Sequence, residues 1–180
     1  VRFRAVNETG DQVQAILDRS PFYAESGGQI ADTGLLTSNG EQIRVLDVQK
    51  SDEGQIHVLD QLPESTEGVW TARVDRERRR EIEKHHSVTH LLHAALRQIL
   101  GTHVAQKGSL VAADRLRFDF SHFDSVTPEQ LEEIERLVNQ KIQENIPLDE
   151  ERNLPLDEAR KRGAMMLFGE KYGDRVRMIT

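Results

Sequence analysis

Cysteine is missing from all 180 residues, which rules out disulfide staples, thiolate metal ligands and a thiol nucleophile. That absence fits a reducing compartment, and a cytoplasmic location is the expectation. No apolar run approaches the roughly 18 residues of a membrane span, and no signal-peptide pattern opens the sequence. An excess of positive charge is missing as well. Against 31 Asp and Glu stand 24 Lys and Arg, a net −7, so no overall positive field draws nucleic acid, although local basic clusters can still touch phosphates. Internal repeats, low-complexity tracts and nucleotide-binding motifs are absent too. The chain starts at Val1 rather than Met and stops at Thr180 within an apparent strand; it is expected to be an excised segment. What remains, 37% hydrophobic and 31% charged residues, describes a polar globular protein long enough for one large domain or two small ones.

Residues 1–74 read as a small β-barrel domain. Alternation of Val13, Ala15 and Leu17 with polar neighbours predicts a half-buried strand over 12–18. Further strands are expected at 33–37, 42–49, 55–59 and 69–74, separated by turns at Ser38-Asn39-Gly40, Asp52-Glu53-Gly54 and Pro63-Glu64-Ser65. Between the first two strands lies FYAESGGQ, an aromatic pair leading into a double-glycine turn. A long helix is predicted over 75–100, opened by Asp75 and closed by Gly101. Its first half is crowded with Arg76, Arg78, Arg79, Arg80 and Lys84 against Glu77, Glu81 and Glu83. A solvated face with i,i+4 pairs accounts for this, contact with a nucleic-acid backbone being the alternative. Strands follow at 104–111 and 115–120. Thr127-Pro128-Glu129-Gln130 is a capping box with proline at the first helical position, starting a helix to about residue 145. A strand over 148–154, a short helix over 156–162 and a last strand over 175–179 complete an α+β domain over 75–180, an antiparallel sheet covered by helices.

Chemistry concentrates at HSVTH, residues 86–90. Histidines four apart on a helix share one face and sit one turn apart, close enough to hold one metal ion. The helical period puts Val88, Leu92, Ala95, Leu96 and Ile99 on an apolar stripe and His86, His90, His93 and Arg97 on the other face, expected to line a cleft. Zinc peptidases need a glutamate directly after the first histidine as base; Ser87 stands there, so that reading fails. Two imidazoles make half a zinc site, since zinc takes three or four protein ligands. Two polar histidines capped by hydrogen bonds under a sheet remain the alternative. Gln106-Lys107-Gly108-Ser109 and Ser26-Gly27-Gly28-Gln29 are weaker signals, an edge-strand polar residue and a turn needing positive φ when each is taken alone.

Together these segments are more specific. FYAESGGQ, HSVTHLLHAALRQILGTHVAQKGSLV, LRFDFSH and GAMMLFGEKYGDRVR closely resemble, in order and spacing, the editing region of alanyl-tRNA synthetases, over about residues 12–178. The form of the glycine turn is closer to the synthetase than to the free-standing trans-editing proteins. The resemblance implies hydrolysis of seryl- or glycyl-tRNA mischarged on the tRNA for alanine, sparing alanyl-tRNA, while the parent enzyme's ATP-dependent aminoacylation lies in other domains. It implies zinc held by His86 and His90, with a cysteine and a histidine from a CxxxH motif downstream of GEKY, beyond the end of this sequence. The editing domain is therefore expected to be truncated at its C-terminus, with an empty site and little activity. Thr89 and Gln106 match family positions that tune editing, and Gly27, Gly28 and Gln29 form the family's glycine-rich, substrate-binding turn. The expected partners are a mischarged tRNA and the remaining synthetase domains.

Such a site answers a chemical need. A pocket that accepts alanine rejects serine by only about a hundredfold, so a second site must recognise the hydroxyl. Thr89 is the candidate to read that hydroxyl, and Gln106 to fix the ester or amino group. Zinc either positions the aminoacyl end or acidifies a water; the residues do not choose. A catalytically silent tRNA-binding module and a generic zinc hydrolase are the rival readings.

Overall fold

The computed structural model of the chain describes residues 1–9, 12–164 and 172–179. Contacts divide it into two compact units, Val1–Phe123 and Asp124–Thr180. The sequence-based division falls at 74/75, whereas the long helix lies in the same unit as the strands before it.

The first unit opens with six antiparallel strands: β1 (Phe3–Thr9), β2 (Gln12–Leu17), β3 (Gly34–Ser38), β4 (Glu41–Ser51), β5 (Gly54–Leu59) and β6 (Thr71–Val74), in the spatial order β1-β2-β5-β4-β3-β6. Strand β1 was not anticipated, because Phe3-Arg4-Ala5-Val6-Asn7 lacks a clean two-residue alternation. The outer strands approach each other just before they begin: the backbones of Val1 and Trp70 exchange two hydrogen bonds of 2.8 Å, and the Phe3 ring meets Trp70 edge-on at 5.3 Å. Inward-pointing Ala15, Leu17, Leu36, Ile43, Val45, Val48 and Leu59 build the core with Phe22 and Trp70. A register break between Val45 and Asp47 leaves Leu46 exposed and turns Val48 inward, the usual effect of an extra residue in one strand.

Helix α1 (Arg76–Leu100) follows. Asp75 caps it, its carboxylate accepting from the Arg78 amide, and Gly101 ends it with φ 117°, a value that suits a residue without Cβ. The helix packs on a two-stranded ribbon, β7 (Ala105–Val111) with β8 (Leu116–Ser121). The expected division of its faces needs correction. Val88, Leu92 and Ile99 are half-buried, while Thr89 and His93 are buried beside Ile82 and Leu96. Polar side chains can line a core when their hydrogen bonds are made locally. Here the Thr89 hydroxyl donates to the His85 carbonyl at 2.8 Å.

The second unit holds α2 (Pro128–Gln143), β9 (Glu150–Pro155), α3 (Leu156–Lys161) and β10 (Arg175–Ile179). The capping box at Thr127 and Gln130 is formed in both directions. Strands β9 and β10 pair antiparallel over a small core of Leu154, Ala159 and Met178. Much of the GAMMLFGEKYG segment, residues 165–171, lies outside the described residues. The chain is thus a mixed protein of antiparallel sheets and helices. Among the described residues no helix is long and apolar enough to cross a membrane.

Candidate functional site

The segment between β2 and β3 is tied down at every step. Ser20 Oγ lies 2.7 Å from Nε2 of the fully buried His57, whose Nδ1 faces the Ala15 carbonyl at 3.2 Å. Since a carbonyl only accepts, Nδ1 carries the proton and Nε2 accepts from the serine hydroxyl. Burial pushes the His57 imidazole below its ordinary value. Further along, Asp32 is 2% exposed. Its carboxylate accepts from the Tyr23 amide at 2.6 Å and from Arg79 Nε at 3.1 and 3.2 Å, and Arg79 Nη2 closes the pair. The same guanidinium donates to the Pro21 carbonyl at 2.8 Å, and Arg78 to Ala31 at 2.7 Å. Two of the arginines read as a solvated or phosphate-facing cluster therefore hold this loop against the helix.

At the loop's tip, Ser26 and Gln29 exchange backbone bonds of 3.0 and 3.1 Å across Gly27 and Gly28. Both glycines have positive φ, 60° and 83°, the signature of a type I′ turn. Gly28 is also required by space. A Cβ there would stand 2.4 Å from Ser109 Oγ and 2.5 Å from the Ser109 carbonyl oxygen, whereas one on Gly27 would meet nothing. The close approach lets the Val111 amide donate to Gly28 O at 2.7 Å and Ile30 N to Val111 O at 3.1 Å. The turn thereby extends the β7 edge.

This bracing delivers Gln29 to the histidines. Its Oε1 lies 2.6 Å from His86 Nδ1, so Nδ1 donates, and in the neutral ring Nε2 is the nitrogen without a proton. The rings of His86 and His90 stand 5.2 Å apart, centroid to centroid, at 31°. Two imidazoles sharing a tetrahedral zinc at about 2.0–2.1 Å would put their centroids about 5 Å apart, so the pair fits half of such a site. Partial desolvation, then the neighbouring His86 and His93, hold the exposed His90 below its ordinary value. This favours the neutral form that a metal needs. Among the described residues no group of three or more His, Asp or Glu is placed to hold an ion.

The other predicted residues lie on the same framework. His85 Nδ1 donates to the Ala112 carbonyl at 2.8 Å, and Arg97 donates to the Val104 carbonyl at 2.9 Å. These contacts run β7 antiparallel to α1 and put Gln106 between their levels, nearer the Arg97 end. Gln106 is half-buried, opposite Phe120, beside a register break before Gly108. Thr89 is buried with its proton committed to His85, so toward a ligand its oxygen can act only as an acceptor. His93 is buried beside Phe118, ring centroids 5.4 Å apart, with Nε2 unpartnered. Burial keeps its imidazole below the ordinary value. His85, Asp32 and Arg79 were not singled out as site-building residues from sequence. Asp32 and Arg79 are 47 positions apart, and no local pattern joins them.

A family described as tRNA synthetases class II (A) matches residues 2–78. The alanine--tRNA ligase of Salinibacter ruber is 57% identical over 182 aligned residues, covering 100% of this chain and 19% of that protein. That of Cytophaga hutchinsonii is 54% identical, with 100% and 21% covered, and that of Acetivibrio thermocellus 51%, with 96% and 20%. The chain thus spans about a fifth of the length of the curated relatives it matches.

Proposed function

The chain corresponds along its whole length to a segment of alanine--tRNA ligases, and we propose that this segment is an editing module that hydrolyses the ester of seryl- or glycyl-tRNA for alanine. The observation that carries the reading is the pairing of His86 and His90, with the Gly27-Gly28-Gln29 turn brought onto His86 by long-range bonds. A turn serving only the β sheet would need no such delivery. In this reading residues 1–74 form a barrel closed through Val1 and Trp70, and the working enzyme is cytoplasmic, with tRNA and the remaining synthetase domains as partners.

His86 and His90 would supply two of the zinc ligands. When bound, zinc offers Lewis-acid polarisation of the ester or acidification of a water. This chain's own residues do the rest. The glycine turn shapes the wall beside His86 and brings backbone close to whatever enters. The Thr89 oxygen accepts from the serine hydroxyl, and Gln106 orients the aminoacyl group. Alanine lacks that hydroxyl and gains nothing from Thr89, which is the discrimination a first pocket cannot make.

Deacylation of seryl-, glycyl- and alanyl-tRNA by this chain and by a version extended through the CxxxH motif tests the proposal. Zinc-dependent loss of the seryl and glycyl esters, alanyl ester spared, supports it. Binding of tRNA without hydrolysis by the extended version identifies a silent binding module instead. Hydrolysis of small esters with no preference for aminoacyl-tRNA identifies a generic hydrolase.

A further inference from the structure

Gln29 touches the metal-facing pair from outside, through the ring nitrogen of His86 that a metal on Nε2 would not use. A side-chain amide oxygen has no proton to give, so the 2.6 Å contact from His86 Nδ1 to Gln29 Oε1 requires the proton to sit on Nδ1. Histidines that hold metals depend on such a partner, which fixes the tautomer and the ring plane. We propose that Gln29 is a positioning residue: it holds His86 as the Nδ1–H tautomer and so presents Nε2 as the unprotonated nitrogen.

The surroundings of Gln29 support this role over an accidental surface contact. Its backbone is fixed on one side by the reciprocal bonds with Ser26 and on the other by the Gly28–Val111–Ile30 bonds. The Lys50 ammonium donates to Ser26 Oγ at 2.7 Å, and the Tyr23 hydroxyl to the Ser26 carbonyl at 3.0 Å, bracing the turn from its outer side. The neighbouring His85 has the same arrangement, with Nδ1 donating to the Ala112 carbonyl. Two successive imidazoles of α1 are thus set to one tautomer by acceptors from different segments. The role in metal binding rests on the zinc half-site proposed above; the tautomer itself does not.

The experiment records the tautomer of His86 in this chain by nuclear magnetic resonance of isotope-labelled imidazoles, without metal and well above the ordinary imidazole range. Gln29→Met removes the acceptor at similar length, and Gln29→Glu restores an acceptor. The parent and Gln29→Glu are expected to show His86 with its proton on Nδ1, and Gln29→Met a shift toward Nε2–H. An unchanged Val111 amide signal shows that the turn is intact in each variant. The same tautomer in the parent and Gln29→Met overturns the proposal. Zinc titration of the version extended through the CxxxH motif then separates this claim from the one it rests on. A fall of about 10–100-fold in affinity for Gln29→Met, restored in Gln29→Glu, is the expected effect of losing such a partner. An extended parent that takes no zinc, in a protein whose His86 tautomer depends on Gln29, keeps Gln29 as a positioning residue and removes the zinc half-site.

Discussion

His57, with no exposed surface, shows how a polar residue joins a sheet core: the Ala15 carbonyl and the Ser20 hydroxyl take up both ring nitrogens. Its folded-state value lies below the ordinary 6.5, so the unfolded chain takes up a proton where the folded one does not. The stability that follows is complete above 6.5 and is lost as the pH falls through it toward the folded value. His90 and His93 are lowered in the same direction. Urea midpoints should therefore fall on acidification below neutrality, less steeply for His57→Gln than for the parent, and equal slopes would contradict this. Thr89 carries the second residue-scale prediction. In a zinc-competent extended version, Thr89→Val should lose on the order of 1–3 kcal/mol in seryl-tRNA deacylation, about one hydrogen bond to a polar group. Metal affinity should stay unchanged. Equal rates would pass the discriminating role to Gln106.

At the scale of elements, the loop between β2 and β3 acts through its attachments. Arg79→Met would leave the Asp32 carboxylate, 2% exposed, without its cation. Breaking a buried pair costs about 3–5 kcal/mol, but Arg79 is itself a third exposed. A loss of roughly 2–3 kcal/mol in chemical denaturation is expected, with faster amide exchange at Ile30 and Val111. The two glycines of the turn should separate cleanly. Gly27→Ala meets only backbone strain, about 1 kcal/mol, while Gly28→Ala collides with Ser109 and should break the Val111 bond. Equal midpoints for the two variants would refute the close-approach account. Most elements were legible because their signals are local: alternation for β2, the flanking turns for β4, the cap at Asp75, the capping box at Thr127. Strand β1 has no such pattern. The faces of α1 were legible in part: Ala95 and Leu96 of the apolar stripe are buried as expected, but periodicity sorts residues by polarity, whereas Thr89 and His93 are buried by contacts made to the helix itself and to the β7–β8 ribbon. The HxxxH pair was readable as a spacing. Its link to Gln29, 57 positions away, was suggested only by the family resemblance, and the Asp32–Arg79 anchor by nothing in the sequence.

For the molecule as a whole, a net charge of −7 bears on how the module would meet its substrate. Affinity for RNA comes largely from neutralising phosphates, and this chain has no net positive charge to supply it. If the proposed editing role holds, other domains of the parent enzyme would supply most of the hold on tRNA, and this segment the selection at the aminoacyl end. One measurement tests the editing claim most directly: hydrolysis of seryl-tRNA and alanyl-tRNA by the version extended through CxxxH, alongside its His90→Ala variant, with bound zinc quantified in both. Zinc-loaded parent that clears the seryl ester and spares the alanyl ester, with both zinc and hydrolysis lost in His90→Ala, is the predicted result. Seryl-tRNA hydrolysis undiminished in a zinc-free His90→Ala variant, or no hydrolysis by a zinc-loaded parent, would contradict it.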